Sequence, residues 1–140
     1  MELQEAAEVV RTWEEAVNTT EVERLLELSH PDIEIVGPRG STQGHEALKD
    51  WLTRAGLGLE TRRGFARGEI VVNEQLGVWR EPATGDVLSE AELASHYRVV
   101  NGQVVYVARY DALQTAFEQS GLSKADEVQL RFVSNAPTRQ

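Results

Sequence analysis

Apolar residues recur at three- and four-residue spacing from Leu3 through Ala6, Ala7, Val10 and Trp13 to Val17. That period lays them on one stripe of an α-helix. Residues 2–18 are therefore read as an amphipathic helix with Glu2, Glu5, Glu8, Arg11 and Glu15 on its solvated side. Asn18-Thr19 breaks the pattern. Thr20 with Glu23 has the form of a capping box and opens a short helix from Val22 to Leu28. Pro31 cannot continue it, and Ser29-His30-Pro31 is expected to turn the chain. A short strand follows, Asp32 to Val36, with Ile33 and Ile35 on one face, and then a loop, Gly37-Pro38-Arg39-Gly40. Helical spacing returns from His45 to Ala55. There Ala47, Leu48, Trp51, Leu52 and Ala55 share a side, and Gly56 supplies the left-handed residue that ends a helix.

Beyond Gly56 the period drops to two. Leu59 to Arg67 reads as a strand with Leu59, Thr61, Arg63 and Phe65 in one phase. Ile70 to Arg80 is a longer strand. Its alternating sets, Val72, Glu74, Leu76, Val78 and Val71, Asn73, Gln75, Gly77, Trp79, leave the inner phase open. After a solvated connection from Glu81 to Leu88, two β-rich runs flank Asn101-Gly102, a dipeptide suited to a type I′ hairpin turn. Counted from a two-residue turn, one face carries Leu93, Ser95, Tyr97, Val99, Val104, Tyr106, Ala108 and Tyr110 and is expected to line the interior. The other carries Ala94, His96, Arg98, Val100, Gln103, Val105, Val107 and Arg109 and is expected to face outward. Asp111, with Gln114, caps a last helix from Ala112 to Ser120, which Gly121-Leu122 closes. The tail is ambiguous, with Val128 to Val133 as a candidate edge strand and Ala136 to Gln140 as a frayed end.

The order is helices, strands, helix: an α+β domain over residues 1–122 with an extension over 123–140. A curved antiparallel sheet with helices against one face leaves a conical cavity suited to a small ligand. A length of 140 residues fits one domain, and the absence of cysteine excludes disulfides and thiol chemistry. The net charge of −9 argues against nucleic acid or an anionic membrane as partner, and the cluster Arg62, Arg63, Arg67 is too small to reverse that. The acidic, helical start MELQEAAEVV is unlike a signal peptide, and no apolar run has membrane-spanning length, so a cytoplasmic protein is expected. No His/Asp/Glu grouping has metal-ligand spacing, the glycines form no phosphate-binding pattern, and no cofactor is expected.

The stretches TWEEAVNTTEVERLLELSHPDIEIVGPRG (Thr12 to Gly40), GHEALKDWL (Gly44 to Leu52) and HYRVVNGQVVYVARYDALQTAFEQSGL (His96 to Leu122) together resemble the nuclear transport factor 2-like superfamily, in its polyketide-cyclase and ketosteroid-isomerase-like branch. The resemblance covers about residues 2–122 and implies a cone: a curved antiparallel sheet wrapped around N-terminal helices, with a C-terminal helix. It also implies a homodimer through the outer sheet face, here His96, Arg98 and Arg109. Steroid-isomerase members carry a tyrosine on the first helix and an aspartate before the proline of the first loop. This chain has Trp13 and Gly37 at those places. A glycine abstracts no proton, so that mechanism lacks its base.

The first functional expectation is a binding protein for a compact hydrophobic molecule, with a cavity lined by Trp13, Ile35, Trp51, Phe65 and Tyr97, and by Gln75 and Trp79 if their phase faces inward. The tryptophans must pack whether or not a ligand binds. The second is a cyclase-, isomerase- or dehydratase-like enzyme with Tyr97 as general acid and Arg63 as electrostatic support. The third is a non-catalytic, dimeric protein-interaction module whose cavity is filled by side chains.

Overall fold

The computed structural model describes residues 2–37 and 40–129, with side chains from residue 5 onward. The side chain of Leu3 from the expected stripe, the Pro38-Arg39 loop tip and the chain beyond residue 129 lie outside what is described. Helix α1 (Glu2–Asn18) and helix α2 (Val22–Glu27) lead into strands β1 (Ser29–Gly37) and β2 (Gly40–Gln43). Helix α3 (His45–Ala55) precedes strands β3 (Leu57–Arg67), β4 (Ile70–Arg80), β5 (Val87–Val100) and β6 (Gln103–Tyr110). Helix α4 (Leu113–Ser120), one 3₁₀ turn (Lys124–Asp126) and strand β7 (Glu127–Val128) finish the described chain.

The strands form one sheet in the order β2-β1-β6-β5-β4-β3-β7. Its pairings are antiparallel except β1 with β6, which run parallel, so the sheet is mixed rather than wholly antiparallel. β7 pairs with β3 through Gly64↔Val128 and Phe65↔Glu127, which gives the tail the start of an edge strand. Ser29-His30-Pro31 does not turn the chain, because β1 already begins there.

Helices cover both faces. α1 lays Ala6, Val10, Trp13, Ala16 and Val17 on the inner face, where they join Leu48 and Leu52 of α3 and Leu57, Leu59, Ala66, Val71, Leu93, Tyr97 and Val107 of the sheet. α4 packs Ala116 and Phe117 on the opposite face against Phe65, Val72 and Ala94, with Leu122 folded back beside them. The expected one-sided packing is corrected accordingly. Gly121 ends α4 in the left-handed conformation (φ +83°), and Gly56 ends α3 likewise (φ +61°). A Cβ on Gly56 would stand 2.1 Å from the Arg80 carbonyl oxygen, so this contact admits only glycine. The two side-chain caps expected from sequence do not form. Glu21 and Ala112 are the N-cap residues of α2 and α4, without side-chain cap bonds, and Thr20 adopts a positive φ of 56°.

Two bulges decide which side chains face inward. In β3, Thr61 pairs with Gln75 but Arg63 with Glu74, so Arg62 is the extra residue. Thr61 therefore faces α1, whereas Arg63 and Phe65 cross to the α4 side. In β6, Val104 pairs with Val99 but Tyr106 with Arg98, so Val105 is extra. The hairpin turn is the expected one, with Val100 opposite Gln103. Past the bulge the phase reverses: Val107 and Arg109 share the inner face with Tyr97 and Ser95, while Tyr106, Ala108 and Tyr110 turn outward with His96 and Arg98. Of the three residues expected on an outer dimer face, His96 and Arg98 are there and Arg109 is not.

Candidate functional site

α1, α3 and the inner sheet face enclose a cavity of about 510 Å³. Its walls are Trp13, Ile35, Val36, Leu48, Trp51, Leu57, Leu59 and Val107, with Gly37, Gly40 and Thr42 of the β1–β2 hairpin on one side. Polar groups enter at Ser95, Tyr97 and Arg109. The apolar walls follow from sequence. The helical stripe of α1 delivers Trp13, that of α3 delivers Leu48 and Trp51, and the alternation of β1 delivers Ile35.

The aromatic groups form a fixed corner. Trp13 and Trp51 stack with centroids 6.3 Å apart, and Trp13 meets Tyr97 edge-on at 5.5 Å. The Trp13 indole N–H donates to Ser29 Oγ at 2.9 Å, and Ser29 donates in turn to the Leu25 carbonyl at 2.7 Å. The indole is thereby committed to the scaffold and presents its ring, not its N–H, to the cavity.

Behind Tyr97 lies a buried carboxyl. Glu14, on the same α1 stripe as Val10 and Val17, accepts hydrogen bonds at Oε2 from the Tyr97 hydroxyl, the Gln75 amide and the Asn73 amide, the last at 2.9 Å. Its Oε1 accepts from Thr61 Oγ1 at 2.7 Å. Gln75 also donates to Thr61 at 3.1 Å and accepts from Ser95 Oγ at 2.7 Å. Burial holds the Glu14 carboxyl above the ordinary carboxylate range, and the four donors pull against that shift. Burial, reinforced by the neighbouring carboxyl, pushes the Tyr97 phenol well above its ordinary value. A carboxyl and a phenol that share a hydrogen bond beside a cavity can hold or pass a proton.

Arg109 begins opposite Ser95 and reaches across to Trp79, its guanidinium carbon 5.4 Å from the ring centroid. Gly37 borders the cavity, and a Cβ there would meet nothing within 4 Å.

Trp13, Ile35, Trp51 and Tyr97 line the cavity as expected. Phe65 does not. It packs against Phe117 on the far face, centroids 4.9 Å apart, because the Arg62 bulge reverses its phase. Gln75 faces inward but is spent on the Glu14 network, one layer behind the wall. Trp79 shares that phase and borders the site through Arg109 rather than as wall. Arg63 is held on the outer side by Glu127 at 3.1 Å and cannot support Tyr97. His96 is only 8% exposed, sits edge-on to Tyr106, and its Nδ1 finds no hydrogen-bond partner among the described residues. Burial pulls its ring below the usual imidazole range. Glu14 was not singled out in the sequence. A signal existed, since its position lies between Val10 and Val17 on the apolar stripe. Among the described residues no three His, Asp or Glu side chains converge as a metal site, and no helix is long and apolar enough to cross a membrane.

A family model described as SnoaL-like domain matches residues 10–107. No match is found among the curated proteins. Among solved structures, Bal32a from a soil-derived mobile gene cassette is similar at 19% identity and a TM-score of 0.70, over 86% of this chain and 98% of its own. A putative polyketide cyclase from Xanthomonas campestris pv. campestris aligns at 22% identity and a TM-score of 0.68, over 85% of this chain and 98% of its own. RV0760c from Mycobacterium tuberculosis, in complex with estradiol-17beta-hemisuccinate, aligns at 18% identity and a TM-score of 0.66, over 79% and 95%. At these identities the structures establish a common fold.

Proposed function

The chain belongs to the SnoaL-like domain family, and on that premise we propose that it binds a compact, mainly apolar small molecule in the cavity between α1, α3 and the sheet. The observation that carries this is the open space itself. About 510 Å³ stays open beside the Trp13, Trp51 and Tyr97 corner, towards Ile35, Thr42 and Arg109, where a packed interaction module would hold side chains. The volume is in the range that small-molecule sites occupy, roughly 300–1,000 Å³. That a protein of the same fold was crystallised with estradiol-17beta-hemisuccinate supports a small molecule as occupant. Apolar burial supplies most of the affinity at about 25 cal/mol per Å², and Ser95 and Tyr97 orient the ligand. A thermal-shift screen of compact aromatic and polycyclic compounds tests this. A true ligand at a hundredfold excess over its Kd stabilises the protein by about 2.7 kcal/mol. A screen in which no such compound raises the melting temperature overturns the reading.

One observation favours a second reading, catalysis. Tyr97 donates to the Glu14 oxygen in the described network. When Glu14 is protonated that bond can reverse, its proton passing to the Tyr97 oxygen while the Tyr97 proton passes to a ligand carbonyl oxygen, leaving Glu14 as carboxylate. Tyr97 would be the acid and Glu14 its proton source. Tyr97→Phe removes the relay but keeps the ring, so turnover of a ligand found in the screen should drop about 10²–10⁴-fold. Unchanged turnover removes Tyr97 from the chemistry.

A further inference from the structure

Arg109 is the only charged side chain among the described lining residues of the cavity. Arg11, Arg24, Arg54, Arg63, Arg67 and Arg98 each lie within 4.0 Å of a carboxylate. Arg109 has no such partner among the described residues; its guanidinium rests on the Trp79 ring. Among the described cations, Lys49, Arg80, Arg109 and Lys124 have no carboxylate within 4.0 Å, and of these Arg109 alone lines the apolar cavity of a chain with net charge −9. A guanidinium offers a planar fork of donors that matches a carboxylate, and a ring beneath it holds the fork in place.

The neighbouring stretch of the same sheet wall, at Ser95 and Tyr97, repels an anion. The Ser95 and Tyr97 hydroxyls donate to Gln75 and Glu14, so they turn lone pairs inward, and a carboxyl stands directly behind Tyr97. An anionic group is therefore disfavoured near Tyr97 and favoured near Arg109. We propose that the ligand is an apolar carboxylic acid, seated with its hydrocarbon body beside the stacked Trp13–Trp51 pair and its carboxylate on the Arg109 guanidinium. A hydroxyl or N–H on the body would meet the Ser95 and Tyr97 lone pairs.

The proposal rests on the cavity being the ligand site, and the probes separate the two. Naphthalene-2-carboxylate and naphthalene-2-carboxamide share a ring system and differ in charge. Tryptophan quenching at neutral pH reads both affinities on the wild type, Arg109→Gln and Arg109→Lys. Expected is a carboxylate preference of about tenfold or more in the wild type, falling towards one in Arg109→Gln and partly kept in Arg109→Lys. The preference should weaken with added salt. A wild type that binds the amide as tightly as the acid overturns the anion proposal and leaves the cavity reading standing. A preference that survives in Arg109→Gln overturns it as well. If neither probe binds, both fall together. Because the wild-type ratio is decisive by itself, a variant that fails to fold does not rescue the proposal.

Discussion

Trp13→Ala should lose about 3–5 kcal/mol of folding stability in urea titration. The indole is 1% exposed and is the largest fully buried side chain. It stacks on Trp51, meets Tyr97 edge-on, and donates to Ser29, whose hydroxyl holds the end of α2 and whose carbonyl is bonded by the His45 ring at 2.9 Å. Truncation leaves a void where α1, α3 and β1 converge and leaves the Ser29 oxygen without its donor. Trp13→Phe separates the terms. It keeps much of the packing and drops the N–H bond, so it should cost less than the alanine variant, with about 1 kcal/mol from the bond. A ligand that raises the wild-type melting temperature should raise that of Trp13→Ala far less, compared at matched baseline stability. An equal rise in both would place the ligand elsewhere.

Glu14→Ala should cost about 3–5 kcal/mol, because it strands the donors of Thr61, Asn73, Gln75 and Tyr97 in the interior. Glu14→Gln should cost less, since its carbonyl can still accept three donors while its amide meets Thr61 Oγ1. The diagnostic difference is in pH. Glu14 titrates above its unfolded value of 4.5 in the folded chain. Between those two points the native state carries a proton that the unfolded state has lost. Stability from this group is thus complete below the unfolded value and declines as pH rises through the folded one. The slope is bounded at about 1.4 kcal/mol per pH unit for one proton. Denaturant midpoints across that window should fall with pH in the wild type and lose this component in Glu14→Gln. Identical pH profiles for the two would refute the buried, raised carboxyl. The Gln substitution also removes the proton that Tyr97 would relay, so any turnover should lose its low-pH dependence along with its rate.

Helical periodicity was legible to the residue: α1 and α3 have the bounds the apolar stripes predict, and Gly56 and Gly121 end helices as expected. The Asn101-Gly102 hairpin and the full extent of β4 were equally plain. These signals are local. A stripe or a turn dipeptide acts through its own neighbours. The misplacements share one cause, an extra residue in a strand. Nothing local marks Arg62 or Val105 as unpaired, since a bulge is set by how the partner strand closes on it. Once each is passed, alternation assigns every later residue to the wrong face. Phe65 is thereby lost from the cavity, Tyr106 and Tyr110 are wrongly placed in it, and Arg109 is overlooked. Glu14 was missed for a different reason. A carboxyl on an apolar stripe looks like an interruption until Asn73, Gln75 and Tyr97, far along the chain, supply its partners. β2 carries no signal because all four residues are exposed.

The unpaired Val105 also bears on how such a cavity diverges. Past it, β6 offers Val107 and Arg109 to the ligand and withholds Tyr106 and Tyr110. The same eight-residue strand contains a second, phenolic lining that a change of count by one residue would expose. Ligand chemistry here is written in parity as much as in residue identity. An insertion or deletion in a strand can exchange a cation for a phenol in a single event, a step that point substitution reaches only by several intermediate sequences.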